Sequence, residues 1–234
     1  MDQPALRGYQ LVRYHRRGYA ASSAAVAPVS IPDQAADAAA LVGYLGLGPV
    51  HVVGHSYGGL IAMQLALDCP DLVGSLVLME PALRVHSAGP ASQDLSRRVA
   101  HGFERHQQGD QAGAVDGFLG LLFGPGYREI LDGVIPDGWQ QAVRDSKTFF
   151  GVEVPELRRW HFGGEQAGCI RVPVLSMVGT QSDPAFFEIE LLLCSWFPRL
   201  ETTRVPDANH LLCLRRPDLV AAALAKFFGQ HPLS

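Results

Sequence analysis

Apolar residues fall into two recurring patterns along this chain. Short, nearly continuous apolar or β-branched runs occur at residues 50–53, 72–79, 172–179 and 200–205. Such runs, bounded by Gly and Pro, predict strands buried on both faces. A further short strand is predicted at residues 9–14. Between them lie stretches with helical spacing. Ile31-Pro32-Asp33 opens a helix, with Asp33 in the first turn, where a carboxylate complements the macrodipole. That helix runs to Leu45 and stops in Gly46-Leu47-Gly48-Pro49. Residues 60–68, 186–197 and 217–228 read as three more helices. Strands alternating with helices predict a mostly parallel sheet of about five strands, covered on both faces.

The pattern changes between residues 85 and 168. Amphipathic helical stretches at 92–108, 111–123 and 139–150 dominate, separated by breaks such as Gly124-Pro125-Gly126, and no strand is predicted. The division expected is therefore a first core part at 1–84, a helical insertion at 85–168 and a second core part at 169–234.

Composition narrows the function classes. The chain has 234 residues, 47% hydrophobic and 18% charged, with a formal net charge of −4. That describes a globular protein with no basic nucleic-acid footprint. The longest apolar stretch, at 60–67, is too short to span a bilayer, so no membrane partner is expected. Met1-Asp2-Gln3-Pro4 opens no signal peptide. The four cysteines, Cys69, Cys169, Cys194 and Cys213, have no metal-site spacing and sit in apolar runs. They read as buried free thiols, which suits a reducing cytoplasm. Neither a metal nor another cofactor is expected.

Gly54-His55-Ser56-Tyr57-Gly58 carries the chemistry. The G-x-S-x-G pattern alone recurs by chance; its setting, directly after a strand and directly before a helix, gives it meaning. Glycines on either side of the serine let the chain turn sharply. The turn lifts the Ser56 hydroxyl off the strand end, and the helix N-terminus behind it offers free N–H groups. The Tyr57 N–H is then an oxyanion donor.

A serine hydroxyl needs a base, and the base needs an acid to orient it. His210 follows the last strand and precedes the last helix, so it meets the sheet's carboxyl edge. Asp183, in the loop after residue 179, is the first choice of acid. Glu80, at the tip of the preceding strand, is the alternative. Asp207 reads as a turn former.

With these residues in view, the chain resembles the α/β-hydrolase superfamily over nearly its whole length outside the insertion. Gly54 to Gly58 resembles the nucleophile elbow, and Val172 through Asp183 the acid-bearing strand and loop. Asn209-His210 with Pro217-Asp218-Leu219 resembles the histidine loop and closing helix, and residues 16–22 the loop after the family's fourth strand. The resemblance implies that the insertion is a cap over the substrate pocket. Trp139, Phe149, Phe150 and Trp160 would either line that pocket or pack the cap.

Three departures stand out. His15 and Ala20 replace residues common in the family, and the spacing from Gly179 to Asp183 is one residue longer than usual. The three strands that precede the fourth, with their second oxyanion donor, are also missing. A truncated sequence, a re-paired sheet or a partner chain would each account for that, and self-association would cover the incomplete sheet. Losing one oxyanion donor costs about 10²–10³ in rate.

The function expected is a serine hydrolase of carboxylic esters or similar acyl compounds, acting on a small molecule. The alternatives are a non-catalytic small-molecule-binding member, or a non-hydrolytic lyase- or peroxidase-like one.

Overall fold

The computed structural model describes residues 3–83 and 89–233. In chain order it contains α1 (Ile31–Tyr44), β1 (Val50–His55), α2 (Tyr57–Asp68) and β2 (Val73–Met79). The insertion follows as α3 (Pro90–Gln107), α4 (Gln111–Phe123), α5 (Tyr127–Val134), α6 (Gly138–Thr148), α7 (Val154–Leu157) and α8 (Gly164–Cys169). The chain then closes with β3 (Val174–Gly179), α9 (Pro184–Trp196), β4 (Glu201–Val205), α10 (Leu212–Arg215) and α11 (Pro217–Gln230). The expected boundary between residues 84 and 85 lies outside the described residues.

The sheet is wholly parallel, in the order β1-β2-β3-β4. It therefore has four strands rather than about five. Residues 10–16 have no regular structure, and Leu11, Val12 and Tyr14 are 43–48% exposed. A strand exists through its ladder, and among the described residues the outer side of β1 pairs with none. Val53 of β1 is accordingly 39% exposed, although its run reads as a buried strand. β2 and β3 are central and buried, as continuous apolar sequence requires.

Helices cover both faces. One core layer joins Ile31 of α1, Leu60 and Met63 of α2, Leu76 and Leu78 of β2, and Ile189 and Leu193 of α9. The other joins Val77, Leu175 and Met177 to Leu212, Leu224 and Phe227. The alternation of Leu76 and Leu78 against Val77 between these clusters is the period-2 pleat of β2. α1 starts where expected, on a reciprocal cap: Ser30 Oγ accepts from the Asp33 N–H (3.2 Å) and the Asp33 carboxylate accepts from the Ser30 N–H (2.8 Å).

Among the described residues the insertion contains helices joined by turns and no strand, and it has a small core of its own. Ala114, Val115, Phe150 and Val154 pack with Trp139, Phe118 and Phe149. So Trp139, Phe149 and Phe150 act in packing. Trp160 instead packs beside the main core and donates from Nε1 to Gln64 Oε1 of α2 at 2.7 Å. Cys169 and Cys194 are exposed, contrary to the reading of all four cysteines as buried, and all four are free. Among the described residues no helix is long and apolar enough to cross a membrane.

Candidate active site

Ser56 and Glu80 occupy equivalent places on neighbouring strands. His55 pairs with Met79 at the ends of β1 and β2, so each residue is the first beyond its strand. The Ser56 N–H donates to the Met79 carbonyl (3.0 Å), and the Glu80 N–H to that of Met177 (3.2 Å). Both then turn into the left-handed region, with φ of 52° at Ser56 and 45° at Glu80. Non-glycine residues with positive φ are uncommon and cluster at functional sites. The Ser56 carbonyl accepts from the N–H of Gly59 (2.9 Å) and of Ala82 (3.1 Å), which fixes the turn from both strands. Tyr57 is the first residue of α2, so its N–H has no partner within the helix.

The two motif glycines are not equivalent. A Cβ on Gly54 would lie 2.4 Å from the Gly58 carbonyl oxygen and 2.7 Å from Gly59 Cα. A Cβ on Gly58 would meet nothing within 4 Å. The second close approach belongs to Gly59, whose Cβ would sit 2.8 Å from Pro81 Cβ. Gly54 and Gly59, rather than Gly54 and Gly58, make the turn sterically feasible.

His210 is 2% exposed. Its ring stacks on Phe186, centroids 4.4 Å apart, and faces Phe123 at 5.9 Å. Its loop is clamped at Asn209, whose Nδ2 donates to the Phe123 carbonyl at the end of α4 (2.6 Å). The Gln181 N–H donates to the Ala208 carbonyl (2.8 Å), binding this loop to the one after β3.

The structure sets Glu80, not Asp183, against His210. Glu80 Oε2 lies 2.5 Å from His210 Nδ1, and the Glu80 residue is wholly buried. The carboxylate's other oxygen accepts from the Gly179 N–H (2.8 Å) and from the Ser182 hydroxyl. Asp183 turns the other way. Its carboxylate caps α9 through the Ala185 N–H (3.0 Å) and pairs with Arg98 of α3 (2.5 Å). The physical reason lies in the loop: Ser182 fills the inward place beside Glu80, and the next residue is turned out toward the insertion. Asp207, at φ 55°, shapes the turn before His210 and pairs with Arg216 (3.3 Å).

The surroundings favour neutral neighbours. Burial and the nearby His210 push His55 down to about 3, although a hydrogen bond to the His210 backbone partly opposes this. Its ring lies 4.6 Å from that of His210. Burial and the Glu80 charge push the Cys213 thiol up to about 11, so it stays a thiol near neutral pH.

The loop at residues 16–20 seats on the insertion. Arg16 forms a two-pronged pair with buried Glu153 (2.8 and 2.9 Å from Nη2), and the Tyr19 hydroxyl donates to Glu153 Oε2 (2.5 Å). Arg16 also lies over the Tyr57 ring, 5.1 Å from its centroid. Burial, with the Glu153 charge second, raises the Tyr57 hydroxyl well above its ordinary range. A cavity of about 670 Å³ opens beside the elbow between core and insertion, lined by Leu60, Ala82, Leu83, Leu157 and Trp160 among others.

A family model described as alpha/beta hydrolase fold matches residues 1–217. The chain belongs to the alpha/beta hydrolase fold family. It is an enzyme of this class. A protein of Azorhizobium caulinodans provisionally assigned as carbamate hydrolase RutD is 37% identical, covering 95% of this chain and 82% of the relative. A non-heme haloperoxidase of Rhodococcus erythropolis is 28% identical, over 94% and 82% respectively. Among solved structures, a thermophilic esterase from Thermogutta terrifontis superposes with a TM-score of 0.75 at 20% identity, covering 92% of this alpha/beta hydrolase and 78% of that chain. At that identity the likeness speaks for the fold alone.

Sequence reasoning missed Ser182 and the Gly179 N–H. The only signal was an isolated carboxylate, Glu80, ending an otherwise apolar strand. A charge there must find several donors if it is buried.

Proposed function

We propose that this alpha/beta hydrolase cleaves carboxylic esters or related acyl compounds through Ser56, His210 and Glu80, with the Tyr57 N–H at the oxyanion. The observation that carries this is the buried contact between Glu80 Oε2 and His210 Nδ1, beside a serine held at positive φ.

With Glu80 ionised, Nδ1 carries the proton and Nε2 is left as the base. Nε2 takes the Ser56 hydroxyl proton as Oγ attacks the acyl carbonyl carbon. The carbonyl oxygen becomes an oxyanion facing the N-terminus of α2, where the Tyr57 N–H and the helix dipole oppose its charge. The Nε2 proton then passes to the leaving alkoxide, and an acyl-serine remains. Water, activated by the same nitrogen, releases the acid and restores Ser56. The cavity beside the elbow, lined by apolar residues such as Leu60, Leu83 and Phe162 and by polar ones such as Arg158, His161 and Gln166, would take the acyl substrate, with the helical insertion as its roof.

A fluorophosphonate probe followed by peptide mass spectrometry tests the nucleophile, and a p-nitrophenyl ester series tests turnover. Labelling at Ser56 and loss of both signals in Ser56→Ala are expected. Undiminished turnover in that variant would sink the proposal. Saturable binding without product would favour a receptor, and a product other than the free acid a lyase- or peroxidase-like reaction.

A further inference from the structure

We propose that Ser182 is a positioning residue for the His210–Glu80 pair: its hydroxyl fixes the Glu80 carboxylate so that Oε2 faces Nδ1. This inference rests on the catalytic assignment above.

Glu80 is fully buried, and a carboxylate removed from water is stable as an ion only when donors replace the lost solvent. Three donors surround it. His210 Nδ1 takes Oε2, while the Gly179 N–H and the Ser182 hydroxyl both take Oε1. The Gly179 donor belongs to the end of β3, so it sets where Oε1 lies. With that donor alone on Oε1, only the bond to Nδ1 itself would oppose a tilt of the carboxylate about that point. The second donor, Ser182, also opposes that tilt, which would carry Oε2 away from the imidazole.

Ser182 is itself held in place. Its N–H donates to the Gly179 carbonyl (3.2 Å), closing a tight turn at the end of β3. The preceding Gln181 N–H is tied to the histidine loop at Ala208 (2.8 Å). The following Asp183 is anchored outward on Arg98 (2.5 Å) and on the first turn of α9. The hydroxyl is thus delivered by a loop fixed on both sides, with Ser182 only 9% exposed. Asp183 supplies the anchor, and Ser182 supplies the contact.

The test uses Ser182→Ala and Ser182→Thr in the full chain, with two readouts. One is steady-state ester turnover. The other is the proton resonance of His210 Nδ1, which reports the bond to Glu80 whether or not the protein turns over any ester. In Ser182→Ala, kcat should fall about tenfold or more, as expected for losing a hydrogen bond to a charged group, with KM within about twofold. The Nδ1 resonance should move upfield or broaden. Ser182→Thr, which keeps the hydroxyl, should restore both.

An alanine variant with unchanged kcat and an unchanged resonance overturns the proposal. So does a threonine variant that restores neither, because the hydroxyl is then not the operative group. If the wild-type chain turns over no ester, the resonance arm alone decides for Ser182, and only the hydrolase assignment fails.

Discussion

Glu80 Oε2 lies 2.5 Å from His210 Nδ1, across a sequence separation of 130 residues. Asp183, one loop away, is committed to Arg98 and to the first turn of α9. Glu80→Gln should therefore lower kcat by about 10³–10⁴, the loss expected when an imidazole is held in the wrong tautomer. Asp183→Asn should keep kcat within about threefold and cost stability of about 1 kcal/mol or less, through the weakened Arg98 pair, because asparagine caps a helix as well as aspartate does. Parallel kinetics and denaturant melts of the two variants check the contrast; the reverse ranking would return the acid's role to Asp183.

The elbow glycines give a steric prediction. Gly54→Ala forces a methyl into backbone 2.4 Å away and should destabilise the fold by at least about 1–3 kcal/mol, the usual cost of overpacking. Gly58→Ala, inside α2 with open space around it, should be neutral or stabilising by up to about 1 kcal/mol. Thermal melts of the two proteins should separate clearly.

His55 makes stability depend on acidity. Its folded value is about 3, below the unfolded value of roughly 6.5. The unfolded chain therefore binds the proton first. The contribution of His55 is fully present above about pH 6.5 and is lost progressively as pH falls toward 3. Melting temperature should decline across that window, and His55→Asn should flatten part of the decline. A wild-type profile with no slope there would refute the assignment.

The Arg16–Glu153 pair joins the loop at 16–20 to the insertion, with the Glu153 side chain only 2% exposed. Arg16→Met leaves that carboxylate with the Tyr19 hydroxyl but no counter-charge and should cost about 2–4 kcal/mol, somewhat less than for one partner removed from a fully buried pair. The double variant Arg16→Met/Glu153→Leu should recover much of the loss. Chemical denaturation of the three proteins measures the coupling.

The alternation of apolar strands and amphipathic helices made most of the fold legible, because burial on both faces forces continuous apolar sequence on β2 and β3. It misled at residues 9–14. An extended segment becomes a strand only beside another, and its own residues do not say whether a neighbour exists. The strand–helix junctions that carry Ser56 and His210 were legible, because each falls where a strand run gives way to helical spacing. The choice between Glu80 and Asp183 was not. Both are single carboxylates just past strand ends, and what separates them is the direction each loop residue faces, which Ser182 and Arg98 decide in three dimensions.

Ser56 and Glu80 follow strands zipped to one another, whereas His210 sits on a loop clamped through Asn209 to the end of α4. Two of the three groups thus share one rigid mount, and the third rests on a loop held from two sides, by α4 through Asn209 and by the loop after β3 through the Gln181–Ala208 bond. On warming, the base should lose its alignment while the sheet is still intact. Heat inactivation would then precede melting, and its onset would be governed by the hold of α4 and of the loop after β3 on the histidine loop.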